Sequence, residues 1–173
     1  MKWVLIVVAA LVGLVVAVAI VGALLPKTHE ASRAAKFRQP PEAIWQAITS
    51  YKDFPSWRPG VKTVDRLPDR EGRPAWREVD DHGQVLPIEV VEWLPPQRLV
   101  TRIAGPKLAF GGRWAFEVEP VHGGSELRIT EKGEIYNPIF RFMARFFFGY
   151  SATMETYLKA LGRKFGEDVI PEP

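Results

Sequence analysis

Leu127, Ile129, Glu131, Gly133 and Ile135 lie two residues apart and set one acid in an otherwise apolar row. In a β-strand that spacing puts all five on one face, which makes Glu131 the polar residue best placed for chemistry. Burial disfavours an ionised carboxylate and raises its pKa, so such a group suits a general acid or an anchor for a ligand hydroxyl. Tyr136 and Tyr150 are phenols that could share a proton with it. Two plainer arrangements stay open: a bulge or twist that turns Glu131 to solvent, or an ion pair with Arg102 or Arg128.

Other chemistries lack their residues. The chain has no cysteine, which removes disulfides, thiolate metal sites and thiol nucleophiles. His29, His82 and His122 show no ligand-like spacing, so no metal is expected. No Ser, His and Asp set suggests a triad, Gly111-Gly112 and Gly123-Gly124 read as turns, and no cofactor motif is present. The 23 Lys and Arg against 20 Asp and Glu give a net charge of +3, too even for a nucleic-acid-binding face.

Residues 3–25 contain no charged side chain, close to the roughly 20 residues needed to cross a hydrocarbon core. The alternative is a cleaved secretory signal, with Lys2 as its basic start and Val21-Gly22-Ala23 as small residues near its end. The run exceeds the roughly 7–15 residues of a signal core, which favours a retained anchor. Lys2 and the amino terminus flank one end of the span and Lys27, Arg33, Lys36 and Arg38 the other, so the positive-inside count favours a cytoplasmic domain on a bacterial inner membrane while the opposite orientation stays open. Residues 1–25 are thus an anchor, 26–30 a juxtamembrane linker, 31–166 one domain and 167–173 a frayed tail.

Within the domain, residues 31–38 read as a strand and Pro40-Pro41-Glu42 as a helix start. Residues 61–67, 75–79, 85–94, 99–104, 112–121 and 127–135 alternate or run apolar between Gly- and Pro-rich turns, giving about seven strands, mostly antiparallel neighbours. Residues 138–165 follow as one long helix. Its stripe is Ile139, Met143, Phe146, Tyr150, Met154, Tyr157, Leu161 and Phe165, with Gly149 as a point of bending.

The segments PPEAIWQAITSYKDFPSW (40–57), VVEWLPPQRLV (90–100) and GGSELRITEKGEIYNPIFRF (123–142) carry a family likeness. Over about residues 31–166 the chain resembles the START-like superfamily, in its polyketide cyclase/dehydrase and lipid transport branch (SRPBCC). The resemblance implies an α+β helix-grip (START/Bet v 1-like) fold, a curved antiparallel sheet around the C-terminal helix enclosing a cavity for an apolar ligand. Members bind lipids, sterols, quinones, polyketides or hormones, and some catalyse cyclisation or dehydration. No catalytic motif is common to all, so none transfers here.

On that basis Trp57, Trp76, Trp114, Phe116, Glu131, Met143, Phe146 and Tyr150 are the expected cavity residues; each aromatic, with Trp93, is equally at home in an ordinary core. Leu108 and Phe110, within GPKLAFGG (105–112), form either a lid or a loop packed on the helix. Arg141 and Arg145 among Phe140, Phe142, Phe146, Phe147 and Phe148 suit a lipid headgroup layer or a solvated helix face. The expected partners are a hydrophobic small molecule or lipid and, through residues 3–25, a membrane. An enzyme using Glu131, and a partner-binding domain with a filled core, are the competing functions.

Overall fold

A computed structural model describes residues 1–105 and 108–173. The chain runs α1 (Lys2–Leu24), β1 (Thr28–Phe37), α2 (Pro41–Thr49), a 3-10 turn (Tyr51–Ser56), β2 (Val61–Arg70), β3 (Arg73–Asp80), β4 (Val85–Leu94), β5 (Arg98–Ile103), β6 (Phe110–Val121), β7 (Gly124–Ile135), α3 (Pro138–Met143), a π-helical turn (Ala144–Phe148) and α4 (Ala152–Lys164). The seven strands form one sheet in the order β1-β7-β6-β5-β4-β3-β2, with every neighbour antiparallel. β2 through β7 follow one another across the sheet as a meander, with short turns between β2, β3, β4 and β5 and between β6 and β7. β1 and β2 occupy opposite edges, so α2 and the 3-10 turn carry the chain across the sheet.

Alternation decides the core. Leu127 and Ile129 on β7, Phe116 and Val118 on β6, Leu99 on β5 and Trp76 on β3 are buried on the inner face. Met154, Leu158 and Leu161 of α4, spaced three and four apart, press onto that face and are 0% exposed. Each such side chain contributes roughly 1.5–3 kcal/mol by leaving water. Arg33 on β1 fixes the start of α4: its Nε donates to Glu155 Oε1 at 2.9 Å and its Nη2 to Ser151 Oγ at 2.9 Å.

Three features differ from the sequence-based expectation. The single helix over 138–165 is two helices. Asn137 Oδ1 accepts from the backbone N–H groups of Ile139 and Phe140 and starts α3; the π-turn and Gly149, at φ 69°, then end it before α4 begins. Gly149 tolerates that left-handed backbone because it has no Cβ. The break rotates the first half of the stripe off the core, leaving Ile139 38% and Phe146 57% exposed.

β1 also begins earlier, at Thr28, so only Leu25 to Lys27 separate it from α1 and most of the expected linker is strand. The tail is docked rather than frayed. Ala34 and Glu172 exchange backbone hydrogen bonds of 2.8 Å along the outer edge of β1, which blunts an edge otherwise open to pairing. Buried Glu167 accepts from the Arg38 backbone N–H and from Gln39 Nε2, both at 2.9 Å.

Glu167→Ala removes the acceptor for a part-buried backbone N–H. It should lower unfolding free energy by about 1–3 kcal/mol, read as a shift in urea midpoint at constant slope; an unchanged midpoint would mean that the tail adds nothing.

Candidate functional site

α4 covers only part of the inner face. Beside it lies a cavity of about 540 Å³, within the roughly 300–1,000 Å³ usual for small-molecule sites. Its apolar walls come from Trp76, Ile88, Leu99, Trp114, Phe116 and Ile135 on the sheet and from Phe140, Met143 and Phe148 of the α3 segment. Such a wall binds by excluding water and fixes orientation through the few polar groups set into it.

One polar group is the cluster around Glu131. The β6–β7 register runs unbroken from Phe110↔Ile135 to Val121↔Gly124, so no bulge turns Glu131 outward. Neither expected arginine pairs with it, because Arg102 bonds Glu89 and Arg128 bonds Glu126. Its neighbour is His29, whose Nε2 lies 3.7 Å from Glu131 Oε1. The His29 ring stacks on Tyr150 at a centroid distance of 4.1 Å and 17° between planes. It lies over Gly133, where any Cβ would collide with the imidazole and approach Glu131 Oε1 at 3.0 Å. Gly133 is thus the space that brings His29 to the acid.

Burial pushes the Glu131 carboxyl above the usual carboxylate range, opposed by the Trp114 indole N–H, and burial lowers His29. Both shifts favour the neutral forms of the two partners. The Arg33, Ser151 and Glu155 bonds fix the start of α4 at Ser151, one residue after Tyr150.

A second polar group stands on β3, four strands along the sheet. Arg58 Nη1 donates to Glu78 Oε1 at 2.7 Å and Trp76 Nε1 donates to the same oxygen at 3.1 Å. The Arg58 guanidinium also rests 4.5 Å from the Phe54 ring centroid and 5.1 Å from that of Tyr157. Burial raises the Tyr157 phenol well above its ordinary value, and its hydroxyl has no hydrogen-bond partner among the described residues.

Of the expected cavity residues, Trp76, Trp114, Phe116, Glu131, Met143 and Tyr150 line the void together. Trp57 does not; it packs edge-on to Phe54 and Tyr157 beneath the surface. Phe146 faces outward against Phe142. Trp93 is 39% exposed at the edge of Trp45. Phe110 lines the cavity, whereas Leu108 folds back on Gly105; Pro106 and Lys107 of the expected lid lie outside the described residues. Tyr136 donates to Glu134 at 2.7 Å rather than to Glu131.

Sequence reasoning passed over His29, Gly133, Arg58 and Glu78. The usable signal for His29 was alternation: His29, Ala31, Arg33, Ala35 and Phe37 share one face once β1 starts at Thr28.

Residues 28–165 match the family model for polyketide cyclase/dehydrase and lipid transport proteins. The chain belongs to that family. Its fold is similar to a START superfamily protein from Mycobacterium smegmatis (20% identity, TM-score 0.64, covering 79% of this chain and 96% of that one). It is also similar to the Zhui aromatase/cyclase from Streptomyces (10%, 0.62, 79% and 93%). The di-domain ARO/CYC StfQ of the steffimycin biosynthetic pathway (14%, 0.63, 80%) is matched over 52% of its length. No curated protein matches the chain. At these identities the likeness is one of fold.

A raised carboxyl pKa makes ionised Glu131 a burden on the folded state. That burden is absent below the ordinary glutamate range and grows as pH rises through the raised value. Glu131→Gln should therefore melt higher than the parent at about pH 8 and show no advantage near about pH 4. Equal thermal midpoints at both would place the carboxyl in water.

Proposed function

We propose that this chain is a membrane-anchored binding protein that holds a small hydrophobic or lipid-like molecule between its sheet and its C-terminal helices. One observation carries the proposal: a cavity of about 540 Å³ with aromatic walls beside α4, where a filled domain would have side chains. The paired Arg58 and Glu78 leave no net charge on their side of the void, and burial pushes both Glu131 and His29 toward their uncharged forms on the other. A neutral ligand with one or two oxygen functions suits both. α1, long and apolar enough to cross a membrane, supplies the anchor.

A second use of the same site has its own support in the His29–Glu131 contact. A buried acid beside a base is the equipment for moving a proton on a bound substrate, with Tyr150 as the remaining phenol. Phe110, which lines the cavity at the start of β6, would contact the ligand in either case. If the site is catalytic, Glu131→Gln abolishes turnover while binding persists; if it only binds, the same change weakens affinity alone.

The neutral fluorophore Prodan should bind the full chain in mild detergent with a blue-shifted emission. Ile88→Trp, which fills the wall from β4, should weaken that binding by about tenfold or more with circular dichroism unchanged. Equal affinity in the variant would place the probe elsewhere and contradict the cavity as the ligand site.

A further inference from the structure

Most of α1 is bare, and what is covered follows a pattern. Val18 and Ala19 are partly covered, Gly22 is buried and Leu25 is partly covered, a single helical face over the last two turns. The element packed there is α3. A Cβ at Gly22 would overlap the Pro138 carbonyl, so the two backbones touch. At the end of α1, Arg141 is 6% exposed and its Nη1 donates to the Leu25 carbonyl at 2.9 Å. A cation there satisfies an orphan carbonyl and meets the negative end of the helix dipole. With three residues between α1 and β1, the domain is fixed to the helix rather than hung from it.

That contact sets a depth. α1 has 23 residues, about 34 Å at 1.5 Å per residue against a hydrocarbon core of about 30 Å. From Val18 to Leu25 the α3 contact covers about 10 Å of that length. If α1 spans, α3 and the π-turn lie at the boundary between acyl chains and headgroups. Their surface fits that medium: Phe140, Phe146, Phe147 and Phe148 are 54%, 57%, 68% and 68% exposed, a concentration of exposed aromatic surface of the kind that marks a membrane or protein contact. Arg145 is exposed among them, where a long cationic side chain reaches headgroup phosphates.

The same segment is a wall of the cavity, through Phe140, Met143, Ala144 and Phe148. We propose that the α3 and π-turn segment is embedded in the bilayer that α1 enters, and that the ligand passes directly between that bilayer and the cavity along Phe140 to Phe148. This rests on the cavity function proposed above and adds the route and the source. A domain fixed to its own anchor loads from, and returns to, one membrane rather than carrying cargo between two.

The chain has no cysteine, so Phe147→Cys labels at one position. In phosphatidylcholine and phosphatidylglycerol vesicles holding the full chain, an NBD label there should be quenched by lipids with a nitroxide near the glycerol. A label on Asp69→Cys, in β2 far along the sheet, should not. A label at 147 as unquenched as that control overturns the embedding. Phe146→Ser combined with Phe147→Ser, neither lining the cavity, should slow uptake of pyrene from the vesicles by about tenfold and leave pyrene binding in detergent unchanged. Unaltered uptake overturns the route. Absence of pyrene binding in detergent overturns the cavity itself, while NBD quenching still reports the embedding separately.

Discussion

The packing of α4 on the β6–β7 face is the constraint from which the rest follows. Met154, Leu158 and Leu161 share one buried core with Phe116, Leu127 and Ile129, and Tyr157 of the same helix packs on Trp114 and Phe116. The helix is thirteen residues long while β6 and β7 are twelve each. A helix advances about 1.5 Å per residue and a strand about 3.3 Å. α4 is therefore too short to cover the strands it lies on, and the inner face beyond Ile129 must be closed by something else. It is closed loosely, by the α3 segment, and the remaining space is the cavity.

The polar groups make sense within that geometry. The ion pair of Arg77 with Asp65 on the outer face is solvated and contributes little. Inside, the pattern reverses: Glu78 accepts from both Arg58 and Trp76, while Glu131 has only a 3.7 Å approach from His29 and the opposing indole of Trp114. A half-buried carboxyl with so little support lowers stability, and positions that keep such a group are commonly those that use it. Gly133 points the same way. It weakens strand β7 yet is the one residue type that lets His29 lie over the acid.

Much of the fold was legible from alternation and punctuation. The row from Leu127 to Ile135 marked the apolar face of β7 and set Glu131 on it, the unbroken pairing with β6 then excluding the bulge that sequence left open, and the Gly- and Pro-rich turns marked the meander. The break in the C-terminal helix was only half legible: Gly149 signalled a bend, but a π-turn adds a residue to the helical count without any compositional mark, and so moved Ile139 and Phe146 off the core. His29 was obscured by its neighbours. Pro26 and the polar run Lys27, Thr28, His29 and Glu30 resemble an exit from the membrane, and strand pairing with β7, a contact over a hundred residues away, is what makes them β1. Arg58 and Glu78 come together across 20 residues through a loop and a strand, which spacing alone does not encode.

The central claim is that the space beside α4 is there to be filled by an apolar molecule. Native mass spectrometry of the full chain released from mild detergent tests it most directly. The account predicts a substoichiometric to stoichiometric adduct of one neutral, apolar small molecule, recoverable by solvent extraction and distinct from detergent. A chain that flies as the bare polypeptide under every release condition, and whose extracts contain only bulk lipid and detergent, would contradict it.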